Sequence, residues 1–217
     1  MASKKISKRD VIWVLDTLKT TYPEAKCALD HINRWQLLVA VVLSAQTTDV
    51  SVNKITPLLF ENYPDPSSLA TAKQEDIEKI IKTIGMYRTK SKNIIALAKQ
   101  VLQEHEGEVP GNFDDLIKLR GVGRKTANVV LAVGFGEQRI AVDTHVFRVS
   151  NRIGLCSEKD VLSTELALQK VIPKDRWSES HHSLIWHGRR ICHARKPDCE
   201  NCPVNEKCMF TKWKNMV

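Results

Sequence analysis

Two ionisable residues beside a glycine-rich turn could carry out covalent chemistry. Lys125 follows the turn Gly121-Val122-Gly123-Arg124, and Asp143 stands a short distance further along the chain. A helix over residues 125–135 is about 15 Å long, and the loop 136–142 spans at most about 23 Å. Asp143 can therefore return to the end of the helix where Lys125 lies, which would place an amine and a carboxylate in one cleft.

The turn itself has the composition of an anion-binding site. Gly121 and Gly123 can take positive φ and expose backbone N–H groups, and a helix beginning near Arg124 directs its positive end at the same place. An ordinary turn between helices has the same composition. Asp143 could be only a helix N-cap, and Lys125 only a phosphate contact or a solvated side chain. The local sequence leaves these alternatives open.

Four cysteines near the end of the chain have the spacing of metal ligands. They form the pattern C-x6-C-x2-C-x5-C, at Cys192, Cys199, Cys202 and Cys208. The segment is too short and too polar to have a core of its own, so we expect the four thiolates to bind metal. Disulfides are disfavoured because the chain is expected in the cytosol. The spacing leaves zinc and an iron–sulfur cluster as alternatives, since both take four thiolates.

The charge of the chain favours a polyanionic partner. Its 217 residues include 33 basic and 25 acidic side chains, which gives a net charge of +8 and a pI near 9.2, and nucleic acid is the leading candidate. A membrane is disfavoured because the longest apolar run, Leu37–Leu43, is far shorter than the roughly 20 residues of a span. The basic start, Met1–Lys5, leads into no apolar signal core, so we expect a cytoplasmic protein.

The elements that must position these residues are predicted to be helices. Apolar residues recur at i, i+3, i+4 and i+7 in the segments 11–18, 77–84 and 94–101, and a further helix fits the residues after Asp143. Leu37–Leu43 could be a buried strand or a buried helix. A buried helix is favoured, because Asn33 can cap it and no second strand is present to pair with it. The predicted fold class is all-α.

Three motifs in this order resemble endonuclease III, a family of DNA glycosylases in the helix-hairpin-helix superfamily. They are the stretch Leu119–Leu131, the stretch Ala141–Arg148 and the four-cysteine pattern. Leu43–Asn53 also resembles an early helical segment of that family. The resemblance covers essentially the whole chain, and three ordered motifs are far more specific than any one of them.

The resemblance implies a fold of two helical domains. One is a six-helix barrel over residues 26–135, with the helix-hairpin-helix motif at about 113–131. The other combines residues 1–25 and 136–217 and holds a four-iron, four-sulfur cluster on the loop 192–208. The active site is expected in the cleft between the two domains.

The resemblance also implies a reaction. The enzyme would remove oxidised pyrimidines from duplex DNA after the nucleotide has swung out of the helix. The amine of Lys125 would attack C1′ of the sugar, expel the base and leave a Schiff base, and β-elimination would then cut the strand 3′ to the abasic site. A helix N-terminus, the neighbouring Arg124 and partial burial should favour the neutral, nucleophilic amine. Asp143 would stabilise the cationic sugar and assist proton transfer.

Several further residues are expected to touch DNA. Gln46 and Met86 resemble the residues that fill the space of the flipped nucleotide and wedge into the base stack, although core or surface positions would suit them equally. Arg195 and Lys196 lie between Cys192 and Cys199, where a bound cluster would present both charges to phosphates. Arg120 stands where the family usually has proline. We expect a slightly looser turn with an added phosphate contact, and retained DNA binding.

Three alternatives remain at this stage. A related adenine-specific mismatch glycosylase lacks the lysine and carries an extra C-terminal domain, and a related thymine-mismatch glycosylase usually has tyrosine at the lysine position. A non-catalytic DNA-binding scaffold with a structural metal is the third, and the presence of both Lys125 and Asp143 argues against it. The expected partner is damaged or abasic double-stranded DNA, bound by a monomer with no membrane involvement.

Overall fold

The structure, a computed structural model, describes residues 5–214, and in this part of the chain all regular structure is helical. The predicted all-α class is therefore confirmed. The chain divides into two compact units, residues 28–136 and residues 1–27 with 137–217. The breaks fall at 27/28 and 136/137, where the resemblance implies 25/26 and 135/136. The equation of these units with a barrel domain and a cluster domain stays a prediction.

The unit of residues 28–136 is built around one almost entirely buried helix. Its helices are α2 (Arg34–Leu43), α3 (Asp49–Asn62), α4 (Pro66–Ala70), α5 (Gln74–Ile81), α6 (Tyr87–His105), α7 (Phe113–Leu116) and α8 (Arg124–Phe135). α2 packs against α3, α6 and α8, and every residue from Trp35 to Leu43 is buried. Asn33 caps it, with its side-chain oxygen accepting from the Gln36 N–H at 2.9 Å. The predicted buried helix is therefore confirmed.

The other unit places amphipathic helices around a second core. Its α-helices are α1 (Lys8–Thr21), α9 (Thr144–Ile153), α10 (Val161–Val171), α11 (Trp177–Arg190) and α12 (Met209–Lys214). α1 ends before Pro23 as predicted, and it buries Val11, Val14, Leu15 and Leu18. α9 and α11 approach closely at Gly188, where an added Cβ would lie 3.0 Å from the Cβ of His145.

No helix in residues 5–214 combines the length and the apolar character that crossing a membrane requires.

Candidate active site and metal centre

The two glycines of the turn have different conformations. Gly121 has a φ of +80°, and a Cβ there would lie 3.2 Å from Val42 Cγ1, so this position requires glycine for both backbone and packing. Gly123 is extended, with φ −101° and ψ 178°. The expectation of positive φ is therefore confirmed for Gly121 and wrong for Gly123. A Cβ at Gly123 would meet no atom within 4 Å. The absence of a side chain there leaves the backbone N–H groups open to a ligand.

The start of α8 is arranged to attract an anion. Gly123 is its N-cap and has no side chain, so the first turn receives no capping side-chain oxygen and its positive end faces outward. Val122 is buried and anchors the turn, whereas Gly121, Gly123 and Arg124 are exposed. The guanidinium of Arg124 lies 5.1 Å from the ring centroid of Phe113 in α7. The turn therefore presents backbone donors on a rigid base.

Lys125 occupies the first turn of this helix with its side chain exposed. The expected partial burial is therefore wrong for this structure. The physical reason is local: the buried residues of α8 begin at Ala127, and Lys125 lies before them in the exposed first turn. Only a bound substrate can exclude water from this amine. The protein itself supplies two positive neighbours, the N-terminus of α8 and Arg124, which disfavour a charged amine.

Arg120 is tied to α6 by two hydrogen bonds. Its backbone N–H donates to Gln100 Oε1 at 2.6 Å, and its Nε donates to Asn93 Oδ1 at 3.1 Å. The Gln100 amide in turn donates to the carbonyl of Lys118 at 3.5 Å. A proline at position 120 has no N–H for the first of these bonds. Gln100 therefore holds the turn against the loosening that we expected from the absence of proline. The Nε edge of the Arg120 guanidinium is occupied by Asn93, which leaves the other edge for a phosphate.

Gln100→Leu is expected to weaken the hairpin. It removes both bonds of the Gln100 side chain at an exposed site, so we expect a loss of about 1 kcal/mol in unfolding free energy and a weaker affinity for uncleaved DNA, measured by denaturant melts and by titration with labelled duplex. Adding Arg120→Pro should recover part of both losses, because proline fixes φ and leaves no donor unpaired. Gln103→Leu, on an exposed part of the same helix, is the control. Equal effects of the two leucine variants would contradict this role for Gln100.

The predicted DNA wedge residues share an unusual backbone conformation. Gln46 has φ +52° and Met86 has φ +56°, and Lys196 in the cysteine loop has φ +51°. Residues with a Cβ rarely adopt this region, so the surrounding structure must hold them there. Gln46 is exposed and Met86 is 49% exposed. Of the alternatives for these two side chains, a core position is therefore wrong.

Asp143 is the N-cap of α9, as the simpler interpretation predicts. Its Oδ1 accepts from the backbone N–H of His145 at 2.9 Å and of Val146 at 2.8 Å. Oδ2 has no hydrogen-bond partner among the described residues, and the side chain is half-buried. The two interpretations are therefore compatible, since one oxygen fixes the helix start and the other is available for chemistry. Lys125 and Asp143 belong to different units of the chain.

The first turns of α9, which Asp143 caps, are held by the side chains of His145 and Arg148. Burial lowers the pKa of His145, so its ring is neutral near pH 7 and Nδ1 can accept from Arg148 Nη2 at 3.1 Å. Arg148 also donates to the carbonyls of Gly188 at 2.9 Å and Cys192 at 3.0 Å. The sequence motifs did not single out Arg148. Its position one helical turn after Thr144 was the signal that could have found it.

The four cysteines surround one small apolar cavity. Cys192, Cys199, Cys202 and Cys208 all line it, together with Ile153, Ile191 and Phe210 among others, and all four are free thiols. Among residues 5–214, no three His, Cys, Asp or Glu side chains converge closely enough to hold a single metal ion. Four sulfurs around a cavity suit a multi-atom cluster better than one ion bound at a point. The donor set therefore fits the expected iron–sulfur group.

The surroundings of the thiols explain why they need a metal. Burial raises the pKa of the Cys202 thiol to about 11, and the neighbouring Cys192, Cys199 and Cys208 add to that rise. Such thiols stay protonated unless a cationic group replaces the protons. Arg152 Nη1 lies 3.6 Å from Cys192 Sγ and donates to the carbonyl of His193 at 2.6 Å. Arg152 of α9 therefore holds the cysteine loop in addition to the metal that its cysteines would bind.

A buried hydrogen-bond relay reaches the Cys202 sulfur. Burial raises the pKa of Tyr22 to about 12 and lowers the pKa of His187 to about 4, so the phenol keeps its proton and the ring is neutral at pH 7. The Tyr22 hydroxyl is 3.0 Å from His187 Nδ1, and His187 Nε2 is 3.6 Å from Cys202 Sγ. If Tyr22 donates to Nδ1, the ring N–H is on Nε2 and donates to sulfur. Hydrogen bonds of this kind tune cluster ligands.

Arg195 and Lys196 are both exposed on the loop between Cys192 and Cys199. Arg152 Nη2 holds the preceding residue by donating to the carbonyl of Ala194 at 3.0 Å. The loop therefore displays two cations from a fixed backbone, in the arrangement expected for phosphate contacts.

Comparison with known proteins identifies two matching families. The HhH-GPD superfamily base excision DNA repair protein model matches residues 39–174, and the iron-sulfur binding domain of endonuclease III matches residues 192–208. Endonuclease III of Bacillus subtilis is 47% identical over 204 residues, which cover 94% of this chain and 93% of the relative. Endonuclease III of Escherichia coli strain K12 is 43% identical over 205 residues, 94% and 97% of the two chains.

Solved structures agree with these families. A trapped covalent intermediate of endonuclease III with DNA has a TM-score of 0.92 and 46% identity, covering 98% of this chain and 100% of that chain. A thermostable thymine-DNA glycosylase has a TM-score of 0.84 and 25% identity, covering 94% and 98%. The chain therefore belongs to the endonuclease III family, within the HhH-GPD superfamily of base excision DNA repair proteins.

Proposed function

We propose that Lys125 and Asp143 remove oxidised pyrimidines from duplex DNA and cut the strand 3′ to the resulting abasic site. The chain is a DNA glycosylase and abasic-site lyase of base excision repair. The observation that carries our assignment is the exposed Lys125 amine on the first turn of α8, whose start has no capping side chain. Phosphates bound at the hairpin would bring the flipped sugar to this amine.

The reaction divides into two steps at Lys125. The neutral amine attacks C1′, the bond between C1′ and the base nitrogen breaks, and the base leaves with the bonding electrons and accepts a proton. Loss of the amine proton and opening of the sugar ring give an imine between Nζ and C1′. Removal of a proton from C2′ then expels the 3′ phosphate, and water releases the enzyme by hydrolysing the imine.

Asp143 would assist both steps with the carboxylate oxygen that does not cap α9. A negative charge beside C1′ stabilises the cationic sugar that forms as the base departs. The same oxygen can exchange protons with the amine or the leaving base. Because Oδ1 is fixed by two backbone N–H groups, the position of Oδ2 is set before substrate binds.

The chain carries a four-iron, four-sulfur cluster, and we assign its ligands to the four thiols that line the cavity: Cys192, Cys199, Cys202 and Cys208. The cluster supplies folding energy to a segment that has little apolar surface of its own. Arg195 and Lys196 would contact phosphates from the loop that it holds.

Pure protein is expected to be yellow-brown, and Cys199→Ser should lower both the melting temperature and the affinity for DNA. The chemical step on bound substrate, measured by single-turnover kinetics, should change much less, because the cysteines lie outside the reacting groups. Cys156→Ser is the control, since this buried thiol lies in the core of the same unit and away from the cavity. A colourless protein from anaerobic purification with one zinc per chain would contradict the cluster assignment.

We also propose that the protein acts as a monomer in the cytoplasm, on chromosomal DNA. The named relatives are bacterial, and the net charge of +8 suits a polyanion as the partner of a single chain.

Borohydride reduction on defined duplexes tests the proposal. With an oxidised pyrimidine or an abasic site, a lyase gives a stable protein–DNA adduct together with a strand cut. Base release without an adduct would indicate a monofunctional mismatch glycosylase, and binding without either product would indicate a scaffold. Either result would overturn the proposed lysine chemistry.

A further inference from the structure

Lys90, in the first turn of α6, is an almost completely buried lysine. It is 3% exposed, and no other lysine among the described residues is buried. Its amine donates to Thr47 Oγ1 at 2.5 Å. Burial lowers the pKa of this amine, and no carboxylate offsets that effect. Burying an amine against one neutral acceptor is costly, so a gain in stability does not explain the position of this side chain.

The contacts of Lys90 join the two turns that carry the predicted wedge residues. On one side, Thr47 Oγ1 accepts from Lys90 and donates to the carbonyl of Ala45 at 3.4 Å, so the hydroxyl bridges across Gln46. On the other side, the backbone N–H of Lys90 donates to the carbonyl of Met86 at 2.9 Å. That backbone bond belongs to the first turn of α6, of which Met86 is the N-cap, so the Lys90 side chain links this turn to the Gln46 turn, and Gln46 and Met86 both have positive φ.

We propose that Lys90 is a positioning residue for nucleotide flipping, which holds the Gln46 turn in register with the Met86 turn before DNA binds. The inference rests on the proposed function, which assigns Gln46 and Met86 to the space opened in the duplex. A wedge that is fixed in advance loses less conformational entropy when it enters the base stack. Without the tether, the exposed Gln46 turn would have to be ordered during each binding event.

The test uses Lys90→Met and Thr47→Val, which remove the two ends of the hydrogen bond with little change of volume. Each should lower kcat/KM for excision of an oxidised pyrimidine about tenfold, as expected for lost preorganisation, while the melting temperature stays equal or rises. The double variant should be no worse than either single variant, because both break the same bond. Lys99→Met, on an exposed position of the same helix, should match the wild type.

A spectroscopic readout separates positioning from a general loss of stability. With 2-aminopurine opposite the lesion, both single variants should show a smaller fluorescence change on binding, because the orphan base is displaced less. If Lys90→Met does not fold, Thr47→Val alone decides, since Thr47 is only partly buried. Wild-type kinetics for Thr47→Val, or a double variant with the summed loss of both singles, would overturn the proposal.

Epistasis with Gln46→Ala distinguishes failure of this inference from failure of the proposed function. If Gln46→Ala lowers excision and Lys90→Met adds nothing to it, Lys90 acts through Gln46. If Gln46→Ala lowers excision and Lys90→Met has no effect in the wild type, the inference is wrong while the site assignment stands. If Gln46→Ala has no effect, the assignment of Gln46 is wrong and the role of Lys90 falls with it.

Discussion

Lys125→Gln is expected to abolish base excision and the borohydride-trapped adduct while keeping the affinity for damaged DNA. Glutamine has no nucleophilic amine, so the step at C1′ cannot begin. Binding should survive because the N–H groups at the start of α8 and the Arg and Lys contacts to phosphates supply most of the affinity. Single-turnover excision, trapping and duplex titration at one fixed salt concentration measure the three quantities separately.

Lys118→Gln is the matched control for Lys125. Lys118 is an exposed lysine in the same hairpin, and its amine forms a surface ion pair with Asp115 at 2.8 Å. Loss of such a pair changes stability by only about 0–1 kcal/mol, so excision and trapping should stay at the wild-type level. An undiminished adduct in Lys125→Gln would show that another amine is the nucleophile. Lys125 would then be a phosphate contact.

The features that the sequence predicts well are those decided within a short stretch of chain. Leu37–Leu43 is apolar on every side, which predicts burial, and Asn33 as a cap with no second strand to pair with favours the helix that is present. The cysteine spacing brings four thiols to one cavity because the segment is short. Asp143 before Thr144 predicts an N-cap, and the cap is present. At these positions a different local structure would expose apolar side chains or leave polar groups without partners, so the short stretch determines its own conformation.

The features that the sequence does not reveal depend on which surfaces meet. Lys90 and Thr47 are far apart in the chain, and a lysine in an amphipathic helix is normally solvated, so their hydrogen bond could not be foreseen. The exposure of Lys125 depends on where along α8 the packing begins, and its buried residues start only at Ala127. Gly123 is extended because the packing of the turn needs positive φ only at Gly121. In each case tertiary contact overrides a local preference.

Asp143→Asn is expected to reduce excision by about 10² to 10⁴, the range for losing an acid–base or electrostatic partner. Asparagine keeps the oxygen that accepts from the N–H groups of His145 and Val146, so the melting temperature should stay close to that of the wild type. Only the charge on the second oxygen is lost. Cleavage at a preformed abasic site should fall less, because that substrate bypasses expulsion of the base.

Two further variants separate the charge of Asp143 from its role as a helix cap. Asp143→Ala removes both. Excision should fall as much as in Asp143→Asn, and the free energy of unfolding should fall by about 1 kcal/mol in addition. Asp160→Asn is the matched control, since Asp160 caps α10 with an oxygen that accepts from the Ser163 N–H at 2.8 Å; it should leave excision unchanged. If Asp143→Asn excises normally while Asp143→Ala does not, the cap alone explains the residue, and proton transfer must be assigned to another group.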